Sequence, residues 1–467
     1  MHSDRQSAVV ISSHRRTPGA RRLLSFLAAG AGCFALAGCG SQYRPVVSSI
    51  NPVGPAAQPT KYAVAISVPS ATAPGLVTLV DVSGDTILDT TALGVNPYYL
   101  VLDTGGTTGY TLNGDGTLTS FPLSTSLIAS NVAETTLLPA TNGTTELPVS
   151  LTPQGTYIYL AEPGRNALAE LQVQGTSPAV KQELPTGANT IYTVSATNAP
   201  RVYSISSGTA GGPGYVSGIE TTTNTISNTI PVGVNPVYGV MTSDARRAFI
   251  LNQGSNTVSV VNAQTNALDT FTVNGVVTGT IPVGVGPVWA DFAPTLSEML
   301  VVNQGSGTAA GSVSVVNIPF CSQTTVVTNP NCDPANPVDA VGFGQVLATI
   351  PVGINPIMIS VLQDGTKAYV ANQGNASQGI AGSVSVINLL NDTVEATIAG
   401  GVSSNANDQL VHGHPNYIAG TTGTPTGKVY VTAPDSNDLT ILRTDVDTVE
   451  THLPLQGAGV SVRVNRQ

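Results

Sequence analysis

A chain of 467 residues with 9% charged side chains, 49 glycines and 32 prolines is poor helix material, because Lys, Glu and Arg are scarce and Gly and Pro break helices. A coiled coil or helical solenoid is excluded, and so is collagen, since the glycines show no three-residue period. The hydrophobic share of 41% argues against wholesale disorder and allows a sizeable core.

The chain begins with a basic segment around Arg15, Arg16, Arg21 and Arg22, followed by an apolar run of 16 residues, Leu23 to Gly38. A membrane-spanning helix needs about 20 apolar residues, so this length fits the core of a signal peptide. The run ends Leu36-Ala37-Gly38-Cys39, which resembles the bacterial lipobox. That resemblance implies a lipoprotein signal peptide over 1–38 and a lipidated Cys39 as mature N-terminus, with an ordinary cleaved signal peptide as the alternative. Residues 39–61 then read as the anchor and a Pro-rich tether, so the expected address is the cell envelope, through a lipid in the membrane. Gly40 after the cysteine resembles outer-membrane sorting. From Cys39 onward 12 basic residues face 26 acidic ones, a formal charge of −14 with no basic run. Such a surface excludes nucleic acid as a partner.

Beyond the tether the chain repeats itself. Ile230-Pro231-Val232-Gly233-Val234-Asn235-Pro236 returns at Ile281–Pro287 and at Ile350–Pro356. Sixteen residues after each last Pro stands Asn-Gln-Gly, starting at Asn252, Asn303 and Asn372, and Val-Ser-Val follows at 258–260, 313–315 and 384–386. Each unit holds four short runs rich in Val, Ile, Thr and Tyr between Gly, Asn, Asp or Pro turns, which predicts four strands. In the unit from Asn235 these are Val237–Thr242, Ala248–Asn252, Thr257–Asn262 and Val276–Val283. Four strands repeating every 40–50 or so residues predict an all-β fold, a β-propeller of four-stranded blades. The Val-Gly-x-x-Pro start, the Tyr369-Val370-Ala371-Asn372 element and the Val-Ser-Val run resemble the YVTN β-propeller repeat family. The resemblance covers about 62–465, and it is densest over 230–400.

Third strands can be counted at Leu76, Leu118, Leu168, Val216, Thr257, Ser312, Ser383 and Leu439, which gives eight blades, with seven as the alternative. The chain enters at Tyr62 as a second strand, so the missing inner strand of the first blade is expected from Gly459–Val464, closing the ring. Residues 62–467 are thus one propeller, interrupted at about 319–345 by an insertion holding Cys321 and Cys332. Two cysteines in an exported chain favour a disulfide, with free thiols as the alternative; a zinc site would need two further ligands nearby.

Residues for chemistry are few. Only His412, His414 and His452 follow the leader, and no nucleophile elbow, P-loop or Cys-x-x-Cys pair occurs. His412 and His414 would share a side of an extended strand, a weak metal pair set against a turn-forming role for His414. No cofactor is expected. The arginines, Arg463 among them, stand mostly in turns or at the terminus. One column stands out two residues after the leading Pro slot: Tyr99, Tyr192, Tyr238, Trp289 and Tyr417. These side chains either pack between blades or line the channel. If the latter, the amides of Asn252, Asn303 and Asn372 would rim an aromatic wall suited to a neutral sugar or peptide segment. The expected function is a monomeric, non-enzymatic binding or scaffolding module, with an envelope protein, peptide or carbohydrate as partner. Lactonase- or quinoprotein-like catalysis, as relatives of this repeat class imply, and a purely structural envelope role are the alternatives.

Overall fold

In a computed structural model, residues 61–465 are described apart from 125–126, 128–129, 134–146, 175–176, 320–340, 404, 406 and 422–426. Cys39, Cys321 and Cys332 lie outside the described residues. The chain from Tyr62 onward forms eight antiparallel blades in a ring, so the propeller and the count of eight both hold. Blade 2 shows the pattern, with strands Pro97–Leu102, Thr108–Asn113, Thr117–Pro122 and Ser130–Ala133 running from the channel outward.

The repeat motif has a mechanical explanation. Second strands such as Lys367–Asn372 are buried on both faces, and their Val, Ile and Ala side chains fill the space between neighbouring blades. Asn252, Asn303 and Asn372 end these strands and turn inward: they are 0%, 1% and 0% exposed. Asn372 Nδ2 donates to Ser383 Oγ (3.1 Å) and Ser385 Oγ (2.9 Å), and Asn303 makes the same pair of bonds to Ser312 and Ser314. The Val-Ser-Val strand therefore supplies the acceptors that the Asn needs. The glycine of Val-Gly is required by the same amide, because a Cβ on Gly284 would sit 2.5 Å from Asn303 Nδ2. Asn235 and Asn355, before the leading Pro, adopt φ of 49° and 55°, a left-handed turn that Asn tolerates.

Tyrosine fixes the seams. Tyr369 Oη donates to Asp447 Oδ1 of the next blade (2.6 Å), and Tyr159 Oη donates to Asn224 Oδ1 (2.8 Å). Their partners sit at positive φ in the outer hairpin of the following blade. Cations join them: Lys367 Nζ reaches Asp447 Oδ2 at 2.6 Å, and Lys428 pairs with Asp85 across the junction of the last and first blades. That junction is also closed by the terminus. Ala458–Val464 pairs antiparallel with Tyr62–Val68, and Tyr62 N donates to Asn465 Oδ1 at 2.6 Å. No inner edge of the first blade is left open.

One predicted strand is wrong. Val276–Val283 is not continuous: Val276–Thr278 folds back on Phe271–Val273 as a separate hairpin, and only Thr280–Pro282 pairs with the third strand of its blade. Apolar periodicity cannot tell a strand from an excursion whose Asn274-Gly275 turn carries φ of 50° and 81°. Phe271 from this hairpin meets Phe343, which lies just after the 320–340 segment, with ring centroids 5.0 Å apart.

Candidate functional site

The eight inner strands put equivalent residues at equal depth along the channel. At the level two residues after the Pro slot stand Tyr99, Tyr192, Tyr238, Trp289 and Tyr417, all partly buried. They touch each other around the ring. Tyr192 and Tyr238 have centroids 4.8 Å apart, Tyr238 stacks on Trp289 at 4.1 Å, and Trp289 meets Tyr417 edge-on at 6.1 Å. The two expectations for this column are thus both met in part, since the rings pack across blades and also line the channel. The same level is completed by Ser150, Met358 and Ser461, which are 1%, 5% and 2% exposed.

Two residues deeper the column includes Thr152, Asp291, Ser360 and Arg463. Asp291 accepts backbone N–H groups on both oxygens, from Phe292 and from Val361, each at 2.9 Å. Ser360 Oγ accepts Gly420 N at 2.9 Å. Arg463 is held between the two flanking blades: its Nε donates to Leu100 O at 3.2 Å, and its guanidinium lies 4.5 Å over the ring of Tyr417. No carboxylate stands within 4.0 Å of it among the described residues. Two cavities open at this depth. One of about 210 Å³ is walled by Trp289, Asp291 and Ser360, the other of about 250 Å³ by Tyr99, Thr152 and Tyr192. Tyr238, Val240 and Arg463 line both.

Electrostatics keep the tyrosines neutral. Burial pushes Tyr99, Tyr192, Tyr238 and Tyr417 above the ordinary phenol range; neighbouring phenols add to the rise at Tyr99, Tyr192 and Tyr238, and the Arg463 charge opposes it at all four. Burial pulls Arg463 down, but the surrounding tyrosines outweigh it and hold the group above its usual value. The channel therefore presents the Arg463 cation among neutral hydroxyls, with the Asp291 carboxyl, held by backbone N–H groups, in the same part of the channel.

Several predicted site residues lie elsewhere. The amides of Asn252, Asn303 and Asn372 do not rim the channel, because they are sunk into their own blades as described above. An amide belt does cross three blades, built from their neighbours instead. Asn235 Nδ2 donates to Gln253 Oε1 (3.0 Å), Gln304 Nε2 to Asn355 Oδ1 (2.6 Å) and Asn355 Nδ2 to Gln373 Oε1 (2.9 Å). The middle residue of Asn-Gln-Gly was the available signal, since alternation points it opposite to the buried Asn.

His412 and His414 are also not a pair. Gly413 between them has φ of 75°, so the strand period fails there. His414 Nδ1 bonds Asp435 Oδ2 at 2.6 Å, whereas His412 joins Asp438 through Nδ1 (2.8 Å) and Asp408 through Nε2 (3.2 Å). His452 stacks on His412, with centroids 3.7 Å apart and planes 10° apart. Ligand-type atoms of Asp408, His412 and His452 gather within 4.8 Å of one another. Parallel rings, however, send their in-plane lone pairs side by side rather than toward one point, and His452 Nε2 bonds Leu410 O at 2.9 Å. As built, the cluster ties the connection around Asp408 to the last blade.

No family model matches the chain, and no curated protein matches it. Solved structures do. Dihydro-heme d1 dehydrogenase NirN, in complex with DHE, is similar with a TM-score of 0.58 and 11% identity, over 87% of this chain and 75% of that one. Apo AztD from Citrobacter koseri is similar with a TM-score of 0.54 and 10% identity, over 86% of this chain and 97% of that one. At such identities the likeness is one of fold: a β-propeller.

Proposed function

We propose that this chain is an exported, lipid-anchored propeller of the YVTN repeat type that binds a ligand in its channel without turning it over. The observation that carries this is the pair of cavities beneath the aromatic level, with Tyr238 and Arg463 as their common wall. The lipobox ending at Cys39 supports the address, and several acyl chains would make that anchoring stable. A binding role is favoured over catalysis because the acid in the channel, Asp291, has both oxygens engaged by backbone N–H groups.

Two measurements test the reading. Cys39→Ser is expected to move the protein from the membrane fraction to the soluble one; unchanged membrane association rejects the anchor. Trp289 is the only tryptophan, so its fluorescence reports directly on the channel. Envelope extracts that bind by calorimetry are expected to shift its emission, and binding that leaves it unchanged places the ligand elsewhere.

A second reading, a propeller enzyme, has one observation in its favour: Asp291 and Arg463 line the same cavity. It requires turnover of a lactone or similar substrate that Asp291→Asn abolishes while the fold persists.

A further inference from the structure

Arg463 differs from seven other cations of the propeller. Arg165, Lys181, Arg201, Arg247, Lys367, Lys428 and Arg443 each have a carboxylate within 4.0 Å. Arg463 has Leu100 O on Nε and the ring and hydroxyl of Tyr417 beside it, but five N–H donors in all, so donors remain for a further partner. A shielded guanidinium with no carboxylate within 4.0 Å among the described residues is costly to the fold. Here it stands at the wall shared by both cavities.

We propose that the channel binds a small organic monoanion, a carboxylate with a flat apolar body, in the 250 Å³ cavity, with Arg463 as its charge partner. This rests on the channel-binding reading above and replaces the neutral ligand expected from sequence with a charged one. The class follows from four features. The guanidinium fork matches a carboxylate in shape, and such pairs are stronger than neutral hydrogen bonds. The phenols of Tyr99, Tyr192 and Tyr238 remain protonated and so can donate to an anion rather than repel it. A single positive charge balances a single negative one, and Asp291 across the shared wall disfavours a phosphate dianion. The volume, at roughly 30 Å³ per displaced water, admits about eight waters or a ligand on the order of ten heavy atoms.

Calorimetry on the full chain with benzoate, benzamide and inorganic phosphate tests this. Benzoate and benzamide share a ring and a planar head, so the comparison isolates charge. Benzoate is expected to bind about ten-fold or more tighter than benzamide, and phosphate weaker than benzoate. Arg463→Gln is expected to erase the preference, and Arg463→Lys to retain part of it, with circular dichroism confirming both folds. Equal binding of benzoate and benzamide overturns the anion assignment while leaving channel binding standing if Tyr192→Ala weakens both. No saturable benzoate heat, phosphate binding tighter than benzoate, or a preference that survives in Arg463→Gln each overturns it as well. Failure of the channel reading looks different: benzoate binds, and Tyr192→Ala, in the wall of that cavity, leaves its affinity unchanged.

Discussion

Arg247 and Arg463 are both shielded arginines laid over an aromatic ring, and they differ in what faces the charge. Arg247 sits at a blade seam, 7% exposed, with its guanidinium 5.0 Å from the Phe343 ring and Nε bonded to Asp269 Oδ2 at 2.6 Å. Arg463 lies 4.5 Å from the Tyr417 ring in the channel, with a carbonyl where the carboxylate would be. The seams are where the blades must agree on spacing, and there the cations meet anions: Arg247 the Asp269 of its own blade, Lys367 and Lys428 the Asp447 and Asp85 of the next. The channel contributes little to that agreement, and its cation is left for something that is not part of the chain. An uncompensated charge inside an otherwise well-paired fold is a better pointer to a ligand than the aromatic rings around it, because rings also serve packing.

The largest expected effect comes from removing both kinds of site together. Truncation after Gln456 deletes the inner strand that pairs with Tyr62–Val68 and carries Arg463, and it exposes Ala63, Val64, Ala65 and Ile66, all 0% exposed in the closed ring. The loss should be several kcal/mol, a large fraction of a typical domain's stability. Thermal unfolding checks it, and an unchanged midpoint would show that the ring does not depend on this strand.

A seam anion comes next. Asp447→Ala removes the acceptor of Tyr369 Oη and one of the two carboxylates on Lys367, the other being Glu395 at 2.7 Å. Leaving a buried phenol and a partly orphaned cation should cost about 2–3 kcal/mol, read as a lower urea midpoint at unchanged slope. Asp447→Asn, which keeps an acceptor and the left-handed turn at φ of 52°, should cost less.

The seams were more legible in the sequence than the channel. Repeats expose what several blades need in the same way, and the Val-Gly, Asn and Val-Ser-Val elements recur together in the three blades that hold Asn252, Asn303 and Asn372. The aromatic column was readable for the same reason. Arg463 escaped because it occurs once, in the strand most distant in sequence from its blade, where the motif has decayed to Gly459 in place of Pro. Its column, two residues beyond the aromatics, is otherwise Val101, Thr152, Val194, Val240, Asp291, Ser360 and Ala419, so a cation there is an exception visible only after the register is set. The inward turn of Asn252, Asn303 and Asn372 was hidden for another reason. Sequence showed that the amides recur, and only the geometry shows that serine hydroxyls of the next strand bind them.

One seam breaks the pairing rule, and it should be sensitive to pH. Glu298 occupies the place of Lys367 and Lys428 at the start of its second strand, and it faces Asp392, an acid. Glu298 Oε2 and Asp392 Oδ1 are both buried without a hydrogen-bond partner. Burial first, then the Asp392 charge, pushes Glu298 up to about 7 from 4.5, and burial raises Asp392 too. With the folded value above the unfolded one, the contribution is fully present below pH 4.5 and is lost as pH rises to about 7. Glu298→Gln should flatten that part of the stability profile and gain about 1 kcal/mol at pH 8, the small figure reflecting solvent that still reaches the pair. Identical pH profiles for the two proteins would show that the acids do not interact.

Arg463→Met should change stability least of all, and its smallness is what the contrast with Arg247 requires. The substitution removes one hydrogen bond to Leu100 O and the contact with Tyr417, which is a loss. It also removes a shielded cation that no acid compensates, which is a gain, and Met fills part of the space with a flexible apolar chain. These contributions oppose each other, so the net change should stay within about 1 kcal/mol of zero. Arg247→Met should behave otherwise, because it strands Asp269, 8% exposed, and should cost about 3 kcal/mol or more. The two variants are best compared by urea denaturation at pH 7 without added carboxylate. Added benzoate then separates them further: it should raise the midpoint of the Arg247→Met protein by clearly more than that of Arg463→Met, since tighter binding to the folded state shifts the equilibrium further. If Arg463→Met costs as much as Arg247→Met, the channel arginine is a structural member like the others, and the distinction between seam and channel fails.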